Sequence, residues 1–267
     1  MENLTSEIKL YSQYATSESW IRWYAKILPF KAKRTIKILK NYKNSDAVLL
    51  DVGCSTGLTL GFIAKEFKNV IGYDIDKKAI EVAKKRFERM GVKAKFILGD
   101  GEKIPLKNNS VDIVTSIEVF EHMNEPLKML AEIHRVLKPD GILHITTANK
   151  LWPIEPHFHL LFLSYLPSGF ADFYVRETKK GKGYGNIRLP TYSQFRRTVE
   201  KYFQVEDITL EVIRNYKKYD FERERGKIII LTAAVLNLLK KLKLRFLEKI
   251  LLNLSLGWLF ICRPKKK

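Results

Sequence analysis

The sequence predicts an α/β fold: a largely parallel sheet covered by helices on both faces. Three observations predict it. Through residues 47–150, short apolar runs closed by a glycine or an acid alternate with segments of helical period. The interval between successive runs is that of strand–helix–strand crossover units. The chain has 267 residues, 46% apolar and 29% charged, which allows a large core and excludes general disorder.

In chain order, residues 18–40, with Trp20, Trp23, Tyr24 and Ile27, read as one or two helices. Residues 47–52 form a buried strand ending at Gly53, 58–67 a helix and 70–74 a second strand. Residues 77–90 form an amphipathic helix, with Ala79, Ile80, Ala83 and Phe87 at helical spacing and Gly91 as its stop. Residues 95–98, 111–116 and 142–147 are three further strands, and 126–137 is a helix stopped by Pro139 and Gly141. Residues 152–176 are aromatic and apolar without clear period, and 181–185 form a flexible basic loop. Thr191 caps a helix running to about residue 202, 203–212 alternates as a strand would, and 257–263 is a last strand.

The net charge is +19, from 48 basic and 29 acidic residues, and its distribution is uneven. Residues 47–150 carry +2, whereas 216–267 hold 14 basic and 4 acidic groups, +10. Cys54 and Cys262 cannot make a disulfide framework, and no Cys/His cluster has zinc spacing. The cytoplasm is the expected compartment. Residues 1–7 lack a basic segment followed by an apolar one, so no secretory signal is expected, and no run of 18 apolar residues spans a bilayer.

The sharpest motif is Asp51-Val52-Gly53-Cys54-Ser55-Thr56-Gly57, a strand ending in an acid and a glycine-spaced turn that opens a helix. It lacks the G-x-G-x-x-G spacing of a pyrophosphate loop and the lysine of a phosphate loop. Asp74, followed by Ile75, closes the second strand where a carboxylate can accept both hydroxyls of a ribose, and Asp100-Gly101 follows the third. Asp51, Asp74 and Asp100 converge on one crevice at the carboxyl ends of the strands. Acidic walls without Arg or Lys suit a neutral or cationic nucleoside.

Together with G-D-G-E-K-I-P-L-K-N-N-S-V-D-I-V, E-V-F-E-H-M and R-V-L-K-P-D-G, these motifs resemble the class I S-adenosylmethionine-dependent methyltransferases. The nearest group is the broad set containing the ubiquinone/menaquinone biosynthesis methyltransferases. The resemblance covers roughly residues 45–150. It implies a Rossmann-like seven-stranded sheet, parallel except for one reversed strand, and S-adenosyl-L-methionine as cofactor. It divides the chain into an N-terminal helical lid (1–45), a cofactor-binding core (46–150), an acceptor-site insertion (151–190) and the end of the sheet (191–267). The last part includes a basic amphipathic helical insertion at about 222–255, before the final strand. By position, Gly53 and its neighbours Asp51, Cys54, Ser55 and Gly57 meet the methionine portion, Asp74 with Ile75 the ribose, and Asp100 the adenine amino group. Gly101 and Ile117 complete the pocket. Ser55 stands where the family usually has glycine.

A methyltransferase needs a general base only when its acceptor must lose a proton. The candidates are His122 after the fourth strand, and His157 and His159 beside Glu155 after the fifth. The order of these last three is wrong for a helical ligand pair, so no metal is expected. Trp152, Phe158, Phe162, Tyr165, Phe170, Phe173 and Tyr174 are the expected acceptor lining, and Tyr11, Tyr14 and Trp20 part of the lid.

The expected reaction is O- or C-methylation of a small or lipid-like acceptor. An RNA methyltransferase and a non-catalytic cofactor-binding membrane adaptor are the alternatives. Ser116-Ile117-Glu118-Val119 stands where base-amine methyltransferases carry Asn/Asp-Pro-Pro-aromatic, which counts against nucleic acid. The basic end interleaves lysines with apolar stretches too short to span a bilayer. Two readings of it stay open: peripheral contact with an anionic membrane at its inner face, and packing against the protein's own sheet or a partner.

Overall fold

The computed structural model describes residue 5 and residues 18–100, 103–185 and 187–266. Seven strands form one mixed sheet: β1 (Val48–Val52), β2 (Asn69–Asp74), β3 (Lys95–Leu98), β4 (Val111–Ile117), β5 (Leu137–Ala148), β6 (Phe203–Asp207) and β7 (Gly257–Pro264). Their order is β3-β2-β1-β4-β5-β7-β6, and β7 runs antiparallel to both of its neighbours. The expected seven strands with one reversed are therefore present.

Alternation along the central strands feeds two cores. Leu49, Ile113 and Ile142 face one side, with Ile80, Phe87 and Ile229, whereas Leu50, Val114 and Leu143 face the other, with Leu130, Ile133 and Phe195. The first side is covered by α1 (Glu18–Lys40), α2 (Leu58–Ile63) and α3 (Lys77–Met90). The second is covered by α4 (Pro126–Val136) and, beyond α5 (Ser168–Glu177), by α6 (Tyr192–Val199). Local chemistry sets the ends. The Asp76 carboxylate accepts the amides of Lys78 and Ala79 to start α3, and Gly91 closes it at φ 62°. Thr191 caps α6 through a reciprocal box with Gln194.

Residues 18–40 are a single helix that contains Pro29. Tyr11, Tyr14 and the Trp20 side chain, expected in the lid, lie outside the described residues.

The alternating segment 203–212 is not one strand. β6 stops at Asp207, whose Oδ1 accepts the amide of Thr209 at 2.9 Å and starts α7 (Thr209–Arg214). The apolar residues beyond it, Ile208, Val212 and Ile213, are buried at helical rather than strand spacing. Before β7 the chain forms α8 (Phe221–Arg225), α9 (Lys227–Lys241) and α10 (Arg245–Asn253), the helical insertion expected there.

Candidate active site

The β1–α2 turn holds three left-handed residues: Gly53 at φ 76°, Ser55 at 47° and Gly57 at 71°. A Cβ on Gly53 would also stand 2.5 Å from Val119 Cγ2, so only glycine fits there. Ser55 keeps the turn in a conformation that costs a side chain about 1–2 kcal/mol. The turn's amides are already used. Gly53 and Cys54 donate to the Tyr73 carbonyl at 2.8 and 3.1 Å, Gly57 to Cys54 O at 2.9 Å and Ser55 to Asp74 Oδ2 at 2.7 Å. Those four donors do not form a nest for phosphate.

Asp74 therefore anchors the turn from the end of β2. Its Oδ1 accepts the Asp76 amide at 2.9 Å and its Oδ2 the Ser55 amide, leaving one lone pair on each oxygen for a further donor. Asp51 is buried at the end of β1, with Oδ1 accepting the Thr115 hydroxyl at 2.6 Å. Burial, opposed by that hydrogen bond and aided by the Asp74 charge, raises its pKa to about 7.

These acids line a cavity of about 1270 Å³ at the carboxyl ends of the strands. Asp51, Gly53, Cys54, Ser55, Asp74, Ile75, Asp100 and Ile117 all line it. Gly57 does not; it is the N-cap of α2, shaping the turn from behind. Gly101 lies outside the described residues. The walls are not free of cations, as the sequence suggested: Lys31, Arg34, Lys128 and Arg225 also line the cavity, brought in by helices distant in sequence. Three of them face carboxylates. Lys31 donates to both oxygens of Glu118 at 2.6 and 2.7 Å, Arg34 pairs with Glu224, and Arg225 Nε lies 3.2 Å from Glu224 Oε1. Burial alone would raise the pKa of Glu118, but Lys31 holds it down at about 2.

His122 and His157 line the cavity together, with ring centroids 5.1 Å apart at 82°, whereas His159 is not part of the lining. Glu155, fully buried, holds His157 from below. Its Oε1 meets His157 Nδ1 at 2.6 Å, and its Oε2 accepts the amides of His157 and Phe158 at 2.8 and 2.7 Å. Glu155 is thus a support rather than a base. Burial pulls the His157 pKa down, but the hydrogen bond and charge of Glu155 outweigh it and raise the pKa. Burial and His157 lower His122 to about 4, so it is neutral at pH 7.

Glu121 completes this group. It accepts the Thr147 hydroxyl on Oε2 at 2.9 Å, while Oε1 is buried without a hydrogen bond among the described residues. Burial raises its pKa to about 6. One ligand atom each from Glu121, His122 and His157 lies within 4.8 Å of the others, close enough to hold a cation between them. The sequence did not show this trio, because His157 stands on a loop 35 residues beyond His122.

Most of the aromatic residues expected in the acceptor lining do not face this cavity. Of the aromatic residues in 152–174, Trp152 lines the cavity, while Phe158 packs in a separate core with Leu163, Ala171 and Val175. α5 turns Ala171 and Val175 inward, so its helical spacing leaves Phe170 and Phe173 in solvent. Much of the apolar wall comes instead from the C-terminal insertion, through Phe221, Ile228, Ile229, Leu236, Leu251 and Leu254.

Residues 50–145 match the family model of a methyltransferase domain. A ubiquinone biosynthesis O-methyltransferase of Vibrio campbellii is 32% identical over 153 residues, 54% of this chain and 63% of that protein. One from Pelagibacter ubique is 34% identical over 124 residues, 46% of this chain and 49% of that protein. The chain thus spans less than two thirds of these relatives. Among solved structures, the PH0226 protein of Pyrococcus horikoshii aligns with a TM-score of 0.56 at 16% identity, over 99% of this chain and 100% of that one. Phosphoethanolamine N-methyltransferase 2 of Haemonchus contortus, solved with S-adenosyl-L-methionine, aligns at 0.53 and 20% identity, over 88% of this chain and 52% of that one. Likeness at this identity shows the fold.

Proposed function

We propose that the chain, whose residues 50–145 match the model of a methyltransferase domain, is a class I methyltransferase that transfers a methyl group from S-adenosylmethionine to a small or lipid-like acceptor, at oxygen or carbon. The observation that carries this reading is Asp74: a carboxylate fixed by two backbone amides at a strand end, with one acceptor site left on each oxygen. The cofactor supplies, when bound, an electrophilic methyl on a sulfonium. Asp74 would accept the ribose hydroxyls, Asp100 the adenine amine, and Ile75 and Ile117 would pack beside them. Asp51 is the buried carboxylate suited to the ammonium group of the amino-acid end.

Asp51 gives a direct test. With its pKa raised to about 7, the empty site holds a proton at pH 6, and a cationic ligand favours the carboxylate form. S-adenosylhomocysteine should therefore bind more tightly as pH rises from 6 to 8 and release up to one proton. Calorimetry in two buffers of different ionisation enthalpy measures both. No binding at either pH would sink the cofactor assignment, and pH-independent binding would remove Asp51 from it.

His157 is the base this geometry supports best. Glu155 occupies Nδ1, which fixes the ring in the cavity wall and makes the imidazole more basic. His157→Ala should slow transfer of labelled methyl to a cell extract by about a hundredfold, at the low end for lost general-base catalysis, with S-adenosylhomocysteine affinity unchanged. Glu155→Gln should shift the rising limb of the pH–rate profile to lower pH, because the imidazolium loses its counter-charge. An unmoved limb would make Glu155 merely structural.

A further inference from the structure

Helix α9 is apolar on two faces. Ile229, Ala233 and Leu236 are buried in the core, whereas Ile228, Leu231, Val235 and Leu238 recur at spacings of three, four and three and are exposed. Leu231 is 66% exposed and Phe246 of α10 is 73% exposed. α10 has no buried residue at all, and its Phe246, Leu247, Ile250 and Leu251 are exposed too. Exposed apolar side chains in this number on two successive helices mark a surface that something covers.

Charge identifies the occupant. Residues 227–249 contain six basic groups, Lys227, Lys240, Lys241, Lys243, Arg245 and Lys249, and one acid, Glu248, which Arg214 holds at 2.5 Å. Four of the cations cluster around the turn between α9 and α10. A second copy of this chain would set those turns' like charges into one apolar interface, which opposes self-association. A nucleic acid would leave the leucines and Phe246 in water. An anionic bilayer satisfies both features, with apolar side chains in the acyl boundary and lysines among the headgroups. The helices are 15 and 9 residues long, and among the described residues no helix is long and apolar enough to cross a membrane. They would lie in the interface.

The same helices wall the candidate active site, through Ile228, Thr232 and Leu236 of α9, Leu251 of α10 and the adjoining Leu254. We propose that the α9–α10 pair docks on an anionic membrane surface and admits a membrane-borne amphiphile to the cavity between its inner apolar side chains. The acceptor half of this proposal rests on the methyl-transfer reading; the docking half does not.

Flotation of the full chain with phosphatidylcholine vesicles, with and without phosphatidylglycerol, tests the docking. Binding to the anionic vesicles should be about tenfold or more tighter, and high salt should weaken it. Leu231→Glu with Phe246→Glu changes two exposed side chains outside the cavity lining. It should lose about tenfold or more in vesicle binding while S-adenosylhomocysteine binding and the melting temperature hold. Failure of the wild type to float on anionic vesicles would overturn the proposal, as would equal flotation of the variant. A dimer in solution that the variant splits, without flotation of the wild type, would assign the face to a second copy. None of these outcomes touches cofactor binding, so failure of the docking is distinguishable from failure of the methyltransferase reading.

Discussion

Asp74→Ala is expected to weaken S-adenosylhomocysteine binding by about a hundredfold to ten-thousandfold. Each hydrogen bond to a charged group contributes about 1.5–3 kcal/mol, so two ribose contacts together are worth about 3–6 kcal/mol. The change also deletes the partner of the Ser55 and Asp76 amides, which removes the tie that holds the β1–α2 turn against β2. Both losses act on the same ligand. Asp74→Asn should fall between, since one carbonyl oxygen can still accept. Calorimetry measures the affinity, and a thermal melt checks that the sheet is intact. A dissociation constant within about threefold of the wild type would remove Asp74 from the site and with it the main support for the cofactor.

That carboxylate was legible in the sequence because its role is local to a strand end. β1 and β2 each end an apolar run at a closing acid or glycine and turn into a helix, and their parallel pairing places both closures on one edge of the sheet. Thr191 was legible for the same reason, as a cap depends on residues three apart. Side-chain pairing across the fold was not. Lys31 meets Glu118 across 87 positions and Arg34 meets Glu224 across 190, and nothing at either place in the sequence marks a partner. The aromatic segment 152–174 misled because composition shows what can be buried but not which way a helix turns. Ala171 and Val175 take the inner face of α5, and the larger Phe170 and Phe173 are left outside. The 203–212 segment misled because alternation of period two also fits one turn of helix over so short a span. The Asp207 carboxylate on the Thr209 amide decides between them.

The largest expected effect on stability also comes from a pair that the sequence conceals. Three of the ion pairs that bind α1 to the rest of the chain, Lys31–Glu118, Arg34–Glu224 and Lys37–Asp220, stand at successive three-residue steps of that helix. The middle one is buried on both sides, and the Arg34 guanidinium also lies 4.6 Å from the Phe221 ring centroid. Arg34→Ala would leave Glu224 as a buried carboxylate with Arg225 as its remaining ion pair among the described residues, at a cost of about 3–5 kcal/mol. For a chain of this size each kcal/mol lowers the melting temperature by about 2–4 °C, so the expected drop is about 10 °C. Removing both charges should hurt far less, because a buried pair repays its desolvation only in part. Arg34→Met with Glu224→Leu is therefore expected to recover most of the loss. Lys40→Ala provides the contrast: its pair with Glu66 is half-exposed on both sides, and such surface pairs contribute about 0–1 kcal/mol. Melting curves of the four proteins separate the possibilities. A single variant within about 2 °C of the wild type would mean that water reaches Glu224 when Arg34 is gone. A double variant no better than the single would assign the loss to the packing of Arg34 on Phe221 rather than to its charge.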